Sequence, residues 1–293
     1  MRVLVAGGSG FVGSALGRLL RVRGHTLTLL SRRAGPDRIT WDELRDSGLP
    51  PCDAAVNLAG ENVLNPLRRW NEAFQKEVLS SRLETTRTLA KAIAAAAHPP
   101  RAWVLVTGVG YYRPSPTAEY HEDSPGGDFD FFSRLVSEWE AAAKVPEDST
   151  RLVVVRSGVV LGRGGGALRQ LLPPFRLGLG GPVGTGRQPF PWIHVEDLAG
   201  IVVHALEGDR VRGVLNGVAP ALTTNAEFAR ALGAALGRPA VLPLPGFAVR
   251  AVFGRERATV LLDGQKVLPR RTLASGYRFK FPNLEAALRE VVA

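Results

Sequence analysis

The first half of the chain alternates short apolar runs with longer amphipathic stretches. The apolar runs predict strands at 3–6, 27–31, 54–58, 103–107 and 152–156. Apolar residues spaced three and four apart predict helices at 11–23 and 71–97 and around 131–143. Gly24 ends the first helix and His98-Pro99-Pro100 closes the second, because proline cannot continue a helix. Strands separated by helices predict an α/β fold with a doubly wound parallel sheet.

The second half has a different pattern, which predicts a smaller mixed α/β domain over the strand ends. Helices are predicted at 168–176 and 196–206, and a third helix opens at the capping box Thr224-Asn-Ala-Glu227 and runs to Leu236. A short helix after Pro245, a turn at 264–271, a strand-like segment at 277–281 and a final helix from Leu284 follow. We expect one domain over 1–165, with about 190–212 returning to it, and a second over 166–189 and 213–293.

The most informative turn joins the first strand to the first helix. Its glycines fit the dinucleotide fingerprint as Gly8-x-Gly10-x-x-Gly13 and its variant as Gly7-x-x-Gly10-x-x-Gly13. The free N–H groups and the dipole of a helix start bind anions such as a pyrophosphate. The expected cofactor contacts here are Gly7, Gly10, Phe11, Val12 and Gly13. The alternative is a tight turn that holds no ligand.

The end of the second strand predicts which dinucleotide is bound. Sites for NAD usually place Asp or Glu about twenty residues after the glycines, where the carboxylate bonds the ribose 2′-hydroxyl. Here the strand ends in Ser31-Arg32-Arg33, with no carboxylate. A hydroxyl and a guanidinium would instead bind a 2′-phosphate. We therefore expect NADP, with Ser31 and Arg32 on the phosphate and Arg33 as a second contact. The alternative is a pair of ordinary surface arginines.

Charge and composition narrow the class of partner. The 293 residues are 45% hydrophobic and 22% charged, and the net charge is +10. The basic residues are scattered, and no nucleic-acid motif occurs, so we expect no nucleic-acid partner. Since no long uncharged apolar run occurs, we expect no membrane partner either.

Cysteine use and the position of the first strand suggest a compartment. The single cysteine, Cys52, cannot form an internal disulfide and fits a reducing compartment such as the cytoplasm. No His, Asp or Glu cluster has metal-ligand spacing, so no metal is expected. The first strand begins at residue 2, which leaves no room for a targeting segment in this chain.

The motifs together resemble those of a known family. The matching stretches are Gly7-Gly-Ser-Gly-Phe-Val-Gly13, Asn57-Leu-Ala-Gly60, Ser81-Arg82, Gly110-Tyr-Tyr112, Trp139-Glu140, Arg156-Ser-Gly-Val-Val-Leu-Gly162 and Trp192-Ile-His-Val-Glu-Asp197. They resemble the extended short-chain dehydrogenase/reductases, and within them the NAD-dependent epimerase family group called 39U. The tail from about Pro245 is similar to that group's own C-terminal domain. The resemblance implies a Rossmann-like fold over nearly the whole chain.

The resemblance also implies further cofactor contacts. In the family, the segment matching Asn57-Leu-Ala-Gly60 lines the cofactor, which places Leu58 and Ala59 along it. Glu77 and Arg82 face the same groove by analogy, and Val160 matches the position at the nicotinamide end. For Glu77 a solvated helix charge is the alternative.

The family's usual catalytic pair is missing. Classical members use Tyr-x-x-x-Lys, but alignment on Glu140 puts Phe132 and Val136 at those two positions, and neither side chain transfers a proton. Three candidates for proton transfer remain, namely Thr107, Tyr111 and Tyr112, and packing roles are their alternative. His194 is a further candidate base, although the family segment around it is mainly architectural.

Three functions follow from these residues. The first is an NADP-dependent oxidoreductase of unknown small-molecule substrate. The second is a catalytically silent NADPH-binding regulator or scaffold, and the third is a nucleotide-sugar epimerase, whose usual mechanism needs the missing tyrosine. Members of this superfamily commonly form homodimers through the long helix, so we expect a homodimer.

Overall fold

Seven parallel strands form the central sheet. The computed structural model describes residues 1–293. The sheet strands are β1 Arg2–Ala6, β2 Thr26–Ser31, β3 Arg38–Thr40, β4 Ala54–Asn57, β5 Ala102–Gly108, β7 Arg151–Ser157 and β10 Gly213–Gly217. Across the sheet the strands lie in the order β10-β7-β5-β4-β1-β2-β3. The order reverses between β1 and β4, which is where ligands bind in sheets of this kind. The prediction of a doubly wound, Rossmann-like sheet is confirmed.

Helices cover both faces of this sheet. They are α1 Phe11–Val22, α2 Trp41–Ser47, α3 Glu72–Ala95, α4 Phe131–Ala142 and α6 Val195–Glu207. Leu16 and Leu20 of α1, one turn apart, are fully buried with α6 against one face. Leu89 and Ile93 of α3 pack against the other face with Trp139 of α4. The two cores hold the carboxyl ends of the strands in fixed positions.

A smaller unit is built from the remaining elements. Its helices are α5 Leu168–Arg176, α7 Asn225–Leu236, α8 Gly246–Leu262, α9 Arg270–Ala274 and α10 Leu284–Val292, and its short strand pairs join β6 Glu119–Tyr120 to β11 Lys266–Val267 and β8 Val159–Leu161 to β9 Trp192–His194. The capping box at Thr224 and Glu227 forms as predicted. None of the helices combines the length and apolar character needed to span a membrane.

Four elements differ from the sequence prediction. The strand β3 and the helix α2 were not predicted, because β3 has only three residues and α2 buries only Leu44. The helix α8 spans 17 residues rather than being short, and it is kinked at Gly254, where φ is +79°. The strand β10 pairs with β7 in the main sheet, so the first domain continues past the expected boundary at 212.

The strand-like segment at 277–281 is an irregular strap, so the prediction of a strand there was wrong. Its alternating aromatic residues mimic a strand, but its backbone bonds a side chain rather than a neighbouring strand. The N–H groups of Lys280 and Phe281 donate to the buried carboxylate of Asp197, at 2.7 and 2.8 Å. The hydroxyl of Tyr277 donates to the same carboxylate at 2.9 Å. Asp197 thereby ties the strap to the start of α6.

Candidate functional site

The glycine turn after β1 has the close contacts that its sequence predicts. A Cβ atom on Gly13 would overlap the carbonyl oxygen of Gly7, so only glycine lets α1 begin this close to the strand. Gly7 has φ of +75°, and a Cβ atom there would lie 2.7 Å from the carbonyl carbon of Leu58. The turn therefore touches the loop that follows β4. Both loops lie at the strand-order reversal, where sheets of this kind bind their ligands.

The start of α1 is open to an anion. Gly10 occupies the cap position, no side chain caps the helix, and no acidic residue lies in the first turn. The first N–H groups of a helix have no acceptor within it. Phe11 begins the helix, and the loop with Gly162, Gly165 and Gly166 packs against its ring. The loop that follows β8 therefore lies against the start of α1. Val160 lies within β8, just before this loop.

A basic cleft lies at the carboxyl end of β2. Its lining residues are Ser9, Ser31, Arg32, Arg33 and Arg38. The Ser31 hydroxyl donates to the carbonyl oxygen of Arg33 at 2.5 Å and accepts from the N–H of Arg33 at 3.2 Å, which shapes the turn. The three arginines are exposed, and no carboxylate lines the cleft.

Sequence reasoning missed Arg38 and Ser9 as members of this cleft. Arg38 lies seven residues after Ser31, but β3 returns beside β2 and pairs Arg38 with Leu29. The signal was the turn Gly35-Pro36-Asp37, which makes such a return possible. Ser9 belongs to the glycine turn, so the cleft extends to the turn that leads into α1.

The loop after β4 is held by a buried hydrogen-bond network. The Asn57 side chain is fully buried, donates to the Thr86 hydroxyl at 2.9 Å and accepts from the N–H of Ala59 at 2.9 Å. The Trp139 indole donates to the same hydroxyl. Leu58 and Ala59 are thereby fixed, half-buried, next to the glycine turn.

Arg82 and Glu77 occupy different environments on α3. Arg82 lies beneath Gly60 and donates to the carbonyl oxygen of Glu61 at 2.8 Å, and burial lowers the pKa of its guanidinium to about 10. Arg82 therefore supports the loop from below. Glu77 is half-exposed and pairs with Arg68. The hydrogen bond from Arg68 lowers the pKa of Glu77, and the charge of Arg32 contributes to the same shift.

Phe132 and Val136, which the sequence alignment puts at the family's catalytic positions, both lie beside the turn after β5. A Cβ atom on Gly110, in the turn after β5, would lie 3.6 Å from Cβ of Phe132 and 4.0 Å from Cγ2 of Val136. Phe132 also stacks on Trp70, with ring centroids 6.0 Å apart. Apolar carbon therefore fills the space beside Gly110, and neither side chain can exchange a proton.

Thr107 and Tyr112 lie in a buried polar network. Arg156 donates two hydrogen bonds to the Glu140 carboxylate, at 2.8 and 2.7 Å, and a third to the Tyr112 hydroxyl at 3.0 Å. The Thr107 hydroxyl donates to Glu140 at 3.1 Å, and Tyr112 donates to Asn216 at 2.8 Å. Tyr112 is fully buried, and its burial raises the pKa of the phenol. Both hydroxyls are committed to structure.

Tyr111 differs from these two residues. It is half-buried, and its hydroxyl makes no hydrogen bond within the chain. The guanidinium carbon of Arg156 lies 3.3 Å from the centroid of its ring. Of the three candidates, Tyr111 alone keeps a free hydroxyl beside a cation.

His194 and Cys52 lie away from this group. His194 is buried and caps α6, because its Nδ1 accepts from the N–H of Glu196 at 3.3 Å, while its Nε2 faces Glu290 at 3.0 Å. Both ring nitrogens thus serve the fold. Cys52 is buried before β4, and burial together with the charge of Asp53 raises the pKa of its thiol to about 11.

Family models match most of the chain. The NAD dependent epimerase/dehydratase family matches residues 3–216, and a domain of unknown function, DUF1731, matches residues 244–291. These matches confirm the resemblance given by the sequence motifs. The two matches do not overlap, and the second lies in the C-terminal region.

Individual relatives cover the full length. The chain is 75% identical to the Bos taurus epimerase family protein SDR39U1 and 72% identical to the Homo sapiens protein of that name, covering 100% of each chain. It is 37% identical to the chloroplastic homolog of Arabidopsis thaliana over 100% of this chain and 87% of that one. The crystal structure of the human protein (isoform 2) with NADPH is 72% identical, with a TM-score of 0.98 over 99% of both chains.

More distant structures share only the fold. The UDP-glucose 4-epimerase of Thermus thermophilus, in complex with NAD, has a TM-score of 0.75 at 18% identity, over 100% of this chain and 98% of that one.

Proposed function

The chain belongs to the NAD dependent epimerase/dehydratase family, and from that premise we propose that it is an NADP-dependent oxidoreductase acting on a small molecule. The observation that carries the proposal is the basic cleft at the end of β2, continuous with the glycine turn. Three arginines and no carboxylate favour a 2′-phosphate over a free ribose hydroxyl, since a carboxylate there would repel the phosphate. The NADPH complex of the human relative supports the same assignment.

The residues present fit this cofactor. The missing Cβ atoms of Gly7 and Gly13 let the turn pack closely against Leu58 and the start of α1, and the uncapped start of α1 would hold the pyrophosphate. Arg32, Arg33 and Arg38 would hold the 2′-phosphate. Ser31 shapes the turn that carries them, and Leu58 and Ala59 would lie along the cofactor.

The chemistry at the other end of the site falls to Tyr111. When bound, a nicotinamide dinucleotide supplies or accepts a hydride. Reduction of a carbonyl also needs a proton, and the free hydroxyl of Tyr111 is the donor that best fits the geometry. The Arg156 guanidinium lies against the face of the Tyr111 ring and would hold the phenol in position. Thr107 and Tyr112 would hold Arg156 and Glu140 in place.

Binding titrations test the cofactor. We expect NADPH to bind at least tenfold more tightly than NADH, and the double variant Arg32→Ala/Arg38→Ala to remove most of that preference. Arg230→Ala, an exposed arginine on α7, is the control and should leave both affinities unchanged. Tighter binding of NADH to the unmodified protein would refute the proposal.

A silent NADPH-binding regulator is the second candidate, favoured by the apolar side chains of Phe132 and Val136 beside Gly110. The oxidoreductase and the silent regulator differ in whether they consume NADPH. An oxidoreductase consumes NADPH with some member of a broad carbonyl panel, and Tyr111→Phe abolishes that consumption. A regulator binds NADPH with equal affinity, consumes none, and is indifferent to Tyr111→Phe.

A further inference from the structure

Among the contacts between the C-terminal region and the cofactor half of the molecule, one is made by a buried arginine. Arg257 of α8 has only 1% of its surface exposed. Its guanidinium donates to the carbonyl oxygens of Val63 and Asn65, at 3.3 and 3.1 Å, and to that of Arg68 at 3.0 Å. A fourth bond goes to Phe253 of its own helix, at 2.8 Å. Arg257 makes no ion pair, and its charge is balanced by these carbonyl oxygens and by the faces of the Trp70, Phe74 and Phe253 rings, whose centroids lie 5.4, 5.9 and 5.5 Å from its guanidinium carbon.

A second contact holds the same segment. The Glu256 carboxylate accepts from the indole N–H of Trp70 at 2.5 Å and from the Gln75 amide at 3.1 Å. The helix reaches this position because it kinks at Gly254, where a Cβ atom would lie 3.8 Å from Cβ of Trp70. Two adjacent residues of α8 thus grip both ends of the segment 63–70.

The gripped segment carries a charge that bears on the basic cleft. The carbonyl oxygen of Arg68 accepts from Arg257, and the side chain of Arg68 pairs with Glu77. The pKa of Glu77 is lowered first by the hydrogen bond from Arg68, and the charge of Arg32, one of the residues proposed to hold a 2′-phosphate, adds to the same shift. An unpaired carboxylate there would repel the phosphate and compete for Arg32.

We propose that Arg257 is a positioning residue for the NADP site, and that gripping the segment 63–70 is a role of the C-terminal domain of unknown function. Arg257 fixes the backbone of 63–68, so Arg68 stays paired with Glu77 and Arg32 stays free for the 2′-phosphate. This inference rests on the proposed function, because it concerns the same phosphate cleft. The domain then acts on cofactor choice from outside the dinucleotide fold.

The difference between NADPH and NADH separates this role from a merely structural one. A general loosening of the fold weakens both dinucleotides alike. Release of Arg68 from Glu77 weakens NADPH specifically, since only NADPH carries the phosphate that Glu77 would repel. We expect Arg257→Met to weaken NADPH binding by about tenfold and NADH binding by less than about twofold, as measured by calorimetry. Arg255→Met, an exposed arginine of the same helix, should change neither.

A second substitution tests whether Arg257 acts on NADPH binding through the charge of Glu77. In the Arg257→Met background, Glu77→Gln removes the repelling charge and should restore most of the NADPH affinity. Arg257→Lys keeps the charge but lacks the fork of donors, so an intermediate loss is expected. Equal loss of both dinucleotides, or no rescue by Glu77→Gln, would overturn the proposed role.

Hydrogen exchange tests the grip without any cofactor. In the free protein, Arg257→Met should speed exchange of amides in 61–70, and Arg255→Met should not. Unchanged exchange there would overturn the inference even if NADPH binds. If the unmodified protein does not prefer NADPH, the proposed function is refuted. The hydrogen-exchange rates of 61–70 still show whether Arg257 holds that segment. If Arg257→Met does not fold, Glu256→Ala removes the acceptor of the hydrogen bonds from Trp70 and Gln75 and is measured in its place.

Discussion

The guanidinium carbon of Arg156 lies 3.3 Å from the centroid of the Tyr111 ring, and the same guanidinium holds Glu140 by two hydrogen bonds. Arg156 comes from the end of β7, and Tyr111 from the turn after β5. The arrangement places an uncommitted phenol above a fixed cation at the carboxyl edge of the sheet. It differs from the family's Tyr-x-x-x-Lys, in which both residues come from one helix.

Tyr111→Phe tests the role of this phenol. The substitution removes one hydroxyl that bonds nothing in the chain, so folding and NADPH affinity should stay unchanged. Loss of a general acid typically costs about 10²–10⁴-fold in rate, and we expect a loss of that size in kcat for NADPH-dependent carbonyl reduction. Tyr120→Phe, a neighbouring tyrosine stacked on Tyr112, is the matched control and should keep its rate. An undiminished rate in Tyr111→Phe would remove the phenol from the mechanism.

Arg156→Met tests how much the buried pair of Arg156 and Glu140 contributes to the free energy of unfolding. Arg156 and Glu140 have side-chain exposures of 4% and 13%, so the variant leaves a nearly buried carboxylate without its cation. Breaking such a pair by removing one partner costs about 3–5 kcal/mol of unfolding free energy. Urea denaturation measures the change. The exposed pair of Arg45 and Asp42 is the control, because Arg45→Met should cost about 1 kcal/mol or less.

The central fold could be predicted because its signals are local. Leu16 and Leu20 report a helical face, and the alternation of strands and helices implies the parallel sheet. The segment 277–281 could not be read locally, since its backbone partner, Asp197, lies about eighty residues away. Its alternating aromatics were therefore mistaken for a strand.

In the candidate site, too, some residues could be predicted from local sequence, and others could not because they join the site only through tertiary contacts. The glycine turn and Ser31-Arg32-Arg33 are continuous in sequence, so pattern and chemistry could be read together. Arg38 joins them only because β3 folds back beside β2, and Arg257 reaches the segment 63–68 only through tertiary packing. The three hydroxyl candidates looked alike in sequence, and only the partners of Thr107 and Tyr112 separate them from Tyr111.

Cys52 should react slowly with alkylating reagents. Burial raises the pKa of its thiol to about 11, so at pH 8 the reactive thiolate is about a hundredfold rarer than in an ordinary cysteine of pKa 9. Iodoacetamide labelling at pH 8, followed by mass spectrometry, should be slow in the native protein and fast in urea. Rapid labelling of the native protein would contradict the buried position.

The raised pKa of the Cys52 thiol also predicts how the free energy of unfolding changes at high pH. The folded state favours the protonated thiol, so this contribution is fully present below the unfolded pKa of about 9 and is lost as the pH rises toward 11. In Cys52→Ala, the part of the alkaline destabilisation that comes from this thiol should disappear between pH 9 and 11. Urea unfolding at pH 7, 9 and 11 measures it for both proteins.

Gly13→Ala tests the glycine turn against a glycine four residues further along the same helix. The new Cβ atom would overlap the carbonyl oxygen of Gly7 and the backbone of Gly8, and neither can move without opening the turn. We expect NADPH binding to be lost, because the turn and the start of α1 shift together. Gly17→Ala is the control: its Cβ atom would meet the flexible end of Leu27 at 3.2 Å, and alanine favours a helix by about 1 kcal/mol over glycine. That variant should keep its NADPH affinity in the same titration. Normal binding by Gly13→Ala would mean that the glycine turn does not hold the cofactor.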